Sequence, residues 1–249
     1  MMNTILIHEG KITEQNLSAD FSDVVVRIDA GVLDINVPEN KVINEPLMFI
    51  HTGDAAASFE IAVKIAAYGV LNISQMIMGE GDLTLDINVA LVGSAAASEV
   101  RTVALASGSQ QNKIAVKIEN LAPHTTANIV NHGVVKDRAH LAIDGTGKIH
   151  KGMKGSDAQQ ETRLLNLSKD ASATANPFLL IDEGDITAGH AASIGQIDEA
   201  QIYYLMSRGM SKADAEKLIV SGFLMPFVDL LEDEVLREQL TASIERKLG

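Results

Sequence analysis

The side chains in this sequence best suited to chemistry are histidines, because the 249-residue chain contains seven of them and no cysteine. A neutral imidazole can bind a metal ion or accept a proton near neutral pH. Without cysteine, the chain has no thiolate nucleophile, no thiolate ligand and no disulfide. The histidines are His8, His51, His124, His132, His140, His150 and His190.

His190 has the most distinctive context, in the stretch DITAGHAASIGQID from residue 185 to residue 198. Only small residues flank it, so we expect an unobstructed imidazole at the end of a strand, where helix-like sequence begins. The alternative is a packing residue. The four histidines between residues 124 and 150 would approach one another if they lie on neighbouring rungs of a repetitive fold. Otherwise they are exposed strand or turn residues.

Motifs for other chemistry are absent. GTGKIH resembles a phosphate-binding loop, but Ile149 stands where a hydroxyl residue must follow Lys148, and Ala142 replaces the first glycine. There is no G-x-S-x-G nucleophile motif and no H-E-x-x-H zinc motif. We therefore expect neither nucleotide binding nor enzymatic activity from this chain itself.

The charge and hydropathy of the chain limit its partners. Its formal net charge of −13 disfavours binding to nucleic acid or to an anionic membrane. No run approaches the roughly 20 apolar residues of a membrane span, and the N-terminal apolar run is too short for a signal peptide. We therefore predict a cytoplasmic protein.

Residues 24 to about 182 have the alternation of strands with one buried side. In LTLDINVAL, from Leu83 to Leu91, every second residue is aliphatic. Such strands, about a dozen residues apart, fit a sandwich, a barrel or a β-solenoid. The many strands, the lack of helical interruption and the medium-sized aliphatic residues favour a solenoid, with a β-sandwich as the alternative.

From residue 198 the hydrophobic period becomes helical. Asp198 is a predicted N-cap, and Arg208 with Gly209 is predicted to end the first helix. Ser211 is predicted to cap a second helix and Gly222 to end it. A third helix, DEVLREQLTASIERKLG, has an apolar face formed by Val235, Leu236, Leu240 and Ile244. We therefore divide the chain into a β domain (1–197) and a helical domain (198–249).

The second half of the chain resembles the SufB/SufD family of iron–sulfur cluster assembly. The most specific matches are P-x-L-x-I at residues 177–181, H-x-A-x-x-G-x-I-D at 190–198 and YL-x-SRG at 204–209. The resemblance implies a right-handed parallel β-helix followed by a small helical domain. It also implies dimerisation through the β-helices, and binding of one SufC-like ABC-type ATPase to each helical domain.

The resemblance also separates the two branches of the family. SufB carries a cysteine where this chain has Asn176, and a glutamate where it has Ala191. SufD lacks both groups but carries the histidine that His190 matches. The resemblance therefore implies a SufD-like subunit whose His190 acts as an iron ligand or proton acceptor at a dimer interface. It implies no stably bound cofactor and at most a transient iron–sulfur cluster.

The ATPase contact is expected in the matched helical segments, at Tyr204, Arg208, Gly209 and Phe223. Packing and capping are the alternative roles for these residues. An N-terminal helical region usual in the family is not seen, so we interpret the chain as a short variant that pairs with a SufB-like protein or with itself.

Two other functions remain open. One is a purely structural solenoid that polymerises end to end, which terminal helices would disfavour. The other is a β-helix carbohydrate-active enzyme, which the lack of Trp and the aromatic content of 4% disfavour.

Overall fold

The computed structural model of the protein describes residues 3–29, 32–44, 47–228 and 234–248. Within these ranges, β-strands are followed by α-helices, and a short 3-10 helix at Ala19–Phe21 lies between the second and third strands. The strands are β1 Asn3–His8, β2 Lys11–Asn16, β3 Val25–Asp29, β4 Val32–Val37, β5 Leu47–Thr52, β6 Ala57–Ile65, β7 Ile73–Ile77, β8 Leu83–Leu91, β9 Ala97–Ala106, β10 Gln111–Asn120, β11 Thr126–Val135, β12 His140–Ile149, β13 Asp157–Asn166, β14 Ser172–Ile181 and β15 Thr187–Gln196. The helices are α1 Glu199–Ser207, α2 Lys212–Val228 and α3 Glu234–Leu248.

Alternate strands of the chain belong to two different sheets. One sheet has eight strands in the order β15-β13-β11-β9-β7-β5-β1-β2, and the other has seven in the order β14-β12-β10-β8-β6-β4-β3. From β4 and β5 onward all pairings are parallel. The result is a parallel β-solenoid of about six turns, which confirms the predicted solenoid and excludes the sandwich.

The alternation of residues fills the interior of the solenoid. In β8 the five aliphatic residues at alternate positions are buried, as the sequence predicts, and the polar residues between them are outside. Registered neighbours on adjacent strands stack into columns, for example Ile61, Ile87 and Val116. Burial of each such side chain contributes about 1.5–3 kcal/mol.

At the corners of the solenoid, the backbone of one turn lies directly on the backbone of the turn below it. A Cβ atom added at Gly93 would lie 1.9 Å from the Ala67 nitrogen, and one added at Gly81 would lie 2.0 Å from the Ala55 oxygen. Only glycine allows such an approach of one turn to the turn below it.

The two ends of the solenoid differ. At the N-terminal end, β2 and β3 pair antiparallel with their neighbours, and Leu17, Phe21 and Val24 pack onto the core. At the other end, β14 and β15 are the last strands of their sheets, and their residues are mostly exposed or half-buried. One end is therefore covered and the other is open.

The structure corrects three predicted boundaries. Strands begin at Asn3 and extend to Gln196, beyond the predicted region of 24 to about 182. His190 lies inside β15 and not at the end of a strand, because ten registered pairs with β13 hold this run of small residues extended. Gly222 does not end the second helix. The helix continues to Val228, and buried Val220 and Leu224 on either side of the glycine hold it against the sheet.

The helix starts follow their sequence signals. The Asp198 carboxylate accepts a hydrogen bond from the Ala200 nitrogen at 2.8 Å, and α1 ends at Arg208, before Gly209 with a φ of +95°. The Ser211 hydroxyl accepts one from the Asp214 nitrogen at 3.1 Å. Of the predicted apolar face of α3, Ile244 is buried, while the side chains of Val235, Leu236 and Leu240 lie outside the described part.

Helices α2 and α3 cover the outer face of the eight-stranded sheet. Val220, Leu224 and Ile244 share an apolar cluster with residues of β5, β7, β9 and β11. The predicted division into residues 1–197 and 198–249 thus follows the change from strand to helix, but a common core joins the two parts. Among the described helices, none is long and apolar enough to cross a membrane.

Candidate functional site

The candidate site is the open end of the solenoid, where β14 and β15 leave one edge of each sheet without a described neighbour. Unpaired strand edges present backbone N–H and C=O groups that can pair with another chain. Three large apolar side chains are also about half exposed there: Phe178 at 47%, Leu180 at 49% and Ile194 at 50%. Exposed apolar residues next to free backbone edges favour protein association.

His190 lies at this open end, on the inner side of its sheet. It is in register with Gln160 of β13, which is 5% exposed and faces the solenoid interior. Registered residues of parallel strands project to the same face. His190 itself is exposed, since no further turn covers β15. The structure therefore places an accessible imidazole at the open end of the solenoid.

Beneath Ala192, two residues after His190 on β15, the interior contains a row of buried polar residues. Gln75, Thr102, Asn131 and Thr162 are in register on β7, β9, β11 and β13, and each is at most 2% exposed. The Asn131 amide donates a hydrogen bond to the Thr162 hydroxyl at 3.2 Å. The Gln75 amide nitrogen, the Thr102 hydroxyl and the Asn131 amide oxygen have no hydrogen-bond partner among the described residues.

Glycine makes room for this polar row. Gly145 of β12 faces it, and a Cβ atom added there would lie 2.7 Å from the Gln160 amide oxygen. The Gln160 amide nitrogen donates a hydrogen bond to the Phe178 carbonyl at 2.7 Å, so it ties β13 to β14 across the interior. Sequence reasoning missed this row, although Asn and Gln at core-facing positions of predicted strands were the signal.

His51 ends the polar row on the side away from the open end. Its Nε2 atom lies 2.9 Å from the amide oxygen of Gln75, so Nε2 is the donor. Burial lowers the pKa of His51 from 6.5 to about 4, although the hydrogen bond that His51 donates to Gln75 opposes this. His51 is therefore neutral at physiological pH and shielded from solvent.

The remaining histidines do not assemble into a site. His132 packs edge-on against Phe223 with ring centroids 5.0 Å apart, and His150 lies 3.3 Å from the Glu119 carboxylate. His124 is exposed at a turn, and His140 is half-buried in β12. In the described part of the chain, no three or more His, Asp or Glu side chains are grouped so that they could hold a metal ion.

The positions that distinguish SufB from SufD by resemblance lie on the strands of the open end. Asn176 of β14 is exposed and donates a hydrogen bond to the Asp144 carboxylate at 2.8 Å. Ala191 of β15 is exposed beside Glu161 of β13. Neither position offers a thiol or a carboxylate, so among these three residues His190 has the side chain best suited to bind a metal ion.

A second exposed surface lies on α1. Tyr204 is 56% exposed, and the Arg208 guanidinium lies 5.4 Å from the centre of its ring, in a cation–π contact. Gly209 follows directly and is exposed. Tyr203 at 76% and Met206 at 45% are further exposed residues of this helix, and neither was among the predicted contact residues. A hollow of about 420 Å³ lies beside Tyr204 and Leu205.

Phe223 lies apart from the exposed residues of α1. It is half-buried between α2 and the sheet, against His132 and the apolar cluster. Its surroundings fit the packing role that sequence analysis left open.

Comparison with known proteins shows which proteins this chain resembles. A family model described as the SufBD core domain of the SUF system of FeS cluster assembly matches residues 3–223. The chain is 42% identical to the iron–sulfur cluster assembly protein SufD of Bacillus subtilis, over 69% of this chain and 39% of that protein. It is 32% identical to a SufBD family protein of Mycobacterium bovis, over 59% of this chain and 18% of that protein. The chain thus spans well under half of these relatives, and its residues 3–223 make it a member of the SufBD core family of iron–sulfur cluster assembly proteins.

Proposed function

We propose that this protein is a SufD-like accessory subunit of a SufBCD-type complex that assembles iron–sulfur clusters in the cytoplasm. It has no turnover of its own and no stably bound cofactor. The open end of the solenoid, with the exposed His190 on β15, is the observation that carries the proposal. The similarity to SufD of Bacillus subtilis supports it.

The open end is the proposed dimer interface. A second solenoid, from a SufB-like protein or from another copy of this chain, extends both sheets by pairing with β14 and β15. The difference between the two ends favours a closed dimer over a filament. A filament needs two complementary ends, whereas the N-terminal end is covered and its edge strand β2 carries the exposed charges of Lys11 and Glu14.

His190 is the proposed contribution of this chain to cluster chemistry. Iron–sulfur clusters are held mainly by thiolates, and this chain has no cysteine. One imidazole supplies one nitrogen ligand, or one proton acceptor for a thiol, so the thiolates have to come from the partner. A homodimer of this chain alone would therefore not retain a cluster.

The exposed face of α1 is the proposed contact for a SufC-like ATPase. Tyr204 and Arg208 are in contact, and Gly209 follows them directly. Tyr203 and Met206 are further exposed apolar residues of the same helix. Exposed aromatic and arginine side chains are the residue types that contribute most to protein interfaces. Phe223 lies apart from this surface and packs against His132 and the sheet.

Size-exclusion chromatography with light scattering tests the assembly, first on the protein alone and then with SufC-like and SufB-like proteins of the same source. We expect a complex containing the ATPase and a dimer of solenoids. Failure of the ATPase to bind, with and without ATP, would contradict the proposed role of α1.

Replacement of His190 tests the chemistry. His190→Ala is expected to leave the assembled complex intact but to reduce cluster formation at least tenfold, measured by visible absorbance of the reconstituted complex. His8→Ala is the matched control, because His8 is exposed near the covered end of the solenoid. Equal cluster formation by wild type and His190→Ala would rule out a role for this imidazole.

A further inference from the structure

Helix α3 lies outside the residues matched by the SufBD core family, which end at residue 223. It packs on the outer face of the eight-stranded sheet, the sheet whose last strand carries His190. The match to the family core therefore does not explain the position of α3.

The face of the eight-stranded sheet on which α2 and α3 pack, called the seat below, is apolar and rich in methionine. Ile244 of α3, with Val220 and Leu224 of α2, contacts side chains of four successive strands. Flexible methionine side chains adapt to many partners and fix a helix only loosely. The residues of the seat are Met48, Ile50, Met76, Met78, Val103, Leu105 and Val134.

One polar contact in this interface is specific. The Lys247 ammonium is buried, and it donates hydrogen bonds to the Gly79 carbonyl at 2.5 Å, the Leu105 carbonyl at 3.0 Å and the Gln110 amide oxygen at 3.0 Å. An ammonium group has three donors, so these acceptors satisfy all of them. The Glu80 carboxylate lies 3.9 Å away and adds a counter-charge.

The sheet and its turns build this cage of acceptors. The pairing of β7 with β9 ends at Ile77 and Ala104, so Leu105 pairs with Val134 of β11 but has no registered partner on β7. Gln110 fixes the turn beside it, because its amide nitrogen donates to the carbonyls of Gly79 and Gly81 at 2.9 Å each. The acceptors therefore belong to the solenoid wall, while the donor belongs to the C-terminal helix.

A second contact ties down the same helix end. The Lys136 ammonium, directly after β11, donates a hydrogen bond to the Leu248 carbonyl at 3.0 Å. A cation at the C-terminus of a helix also stabilises the helix dipole. Both contacts hold the last turn of α3 and leave its start without a comparable tether among the contacts of the described residues.

We propose that Lys247 is an anchoring residue that locks α3, and through it the helical domain, onto the sheet that carries His190. The apolar seat allows the helices to slide, whereas the acceptor cage selects one position. Movement imposed on α1 is then transmitted to the sheet instead of being absorbed at the interface. The anchoring itself does not depend on which protein binds α1. Its use in transmitting motion rests on the proposed function.

The cysteine-free chain allows a direct test. Spin labels at Ser207→Cys on α1 and Ser109→Cys in the turn after β9, both exposed, report the distance between helical domain and solenoid by double electron–electron resonance. We expect a narrow distance distribution in the wild-type background. Lys247→Met keeps the length of the side chain but removes its donors, and should broaden the distribution at least twofold.

Two further variants make the test decisive. Lys247→Gln keeps two N–H donors and should give an intermediate width, and it replaces Lys247→Met if that variant does not fold. Arg246→Met, at the exposed neighbouring cation of the same helix, should leave the width unchanged. Equal widths for wild type and both Lys247 variants would overturn the proposal, as would equal broadening by Arg246→Met.

Discussion

At the scale of single residues, His51 has the most strongly perturbed environment among the histidines. It is fully buried, and burial lowers its pKa to about 4, whereas the unfolded chain has the ordinary value of 6.5. Between these values the unfolded chain binds a proton that the folded protein does not. The free energy of unfolding therefore decreases as the pH falls from 6.5 towards 4.

This difference predicts acid sensitivity that depends on His51. For a shift of this size, we expect about 2–3 kcal/mol of the free energy of unfolding to be lost between pH 7 and pH 4.5 through this residue. Urea unfolding at both pH values measures it. His51→Leu should show a loss smaller by that amount, because it cannot be protonated. An equal loss in the variant would mean that carboxyl groups alone cause the acid sensitivity.

Two buried threonines, Thr102 in the polar row and Thr125 outside it, give a matched pair of predictions. The Thr102 hydroxyl has no partner in the part of the chain that the structure describes, whereas the Thr125 hydroxyl donates to the Ala122 carbonyl at 3.0 Å and contacts Ser156. Thr102→Val should stabilise the protein by about 1 kcal/mol, since it removes an unsatisfied buried group. Thr125→Val should destabilise it by about 1–3 kcal/mol, since it leaves partners unsatisfied.

Urea unfolding at pH 7 measures both threonine variants, and only the sign of the change is needed. Destabilisation by Thr102→Val comparable to that by Thr125→Val would mean that the Thr102 hydroxyl is satisfied in solution by a bound polar molecule inside the solenoid.

At the scale of secondary-structure elements, the stacked corners tolerate least change. An alanine at Gly93 would place its Cβ atom 1.9 Å from the Ala67 nitrogen, which belongs to backbone and cannot rotate away. We expect Gly93→Ala to cost about 3 kcal/mol or more, at the upper end of overpacking effects. Gly184→Ala is the control, because nothing lies within 4 Å of its Cβ position. Thermal unfolding of both variants should differ by several degrees, and equal melting temperatures would contradict tight stacking.

The elements differ in how far the sequence predicts them. Strand β8 is predictable because its aliphatic residues alternate with polar ones over its full length. Strand β15 has no such alternation, and its extended form comes from pairing with β13. Helix α2 passes through Gly222 because packing on the sheet outweighs a weak helix former.

The candidate functional residues also differ in how far the sequence predicts them. The sequence predicts an unobstructed His190, and its exposure comes from the position of β15 as the last strand of its sheet. Tyr204 and Arg208 lie on a helix that the sequence delimits correctly. The role of Lys247 could not be predicted, because one of its acceptors, Leu105, is 142 residues away in the chain. A lysine three residues after Ile244 on the apolar stripe of α3 is the local signal.

At the scale of the whole molecule, two exposed surfaces lie on different parts of the fold. One consists of the open sheet edges with Ile194, and the other of α1 with Met206. Among the described residues, no buried cluster contains residues of both β15 and α1. The two associations of the proposed complex should therefore be separable by substitution.

Charges placed on the two surfaces test this separation. Ile194→Glu should weaken association of the solenoids by at least tenfold, since it places a carboxylate in an apolar interface. It should leave ATPase binding unchanged. Met206→Glu should weaken ATPase binding by at least tenfold and leave association of the solenoids unchanged. Light scattering measures the first association and titration calorimetry the second, and each variant serves as the control for the other. Loss of both associations in either variant, with the fold retained by circular dichroism, would mean that the helical face and the open end form one continuous interface.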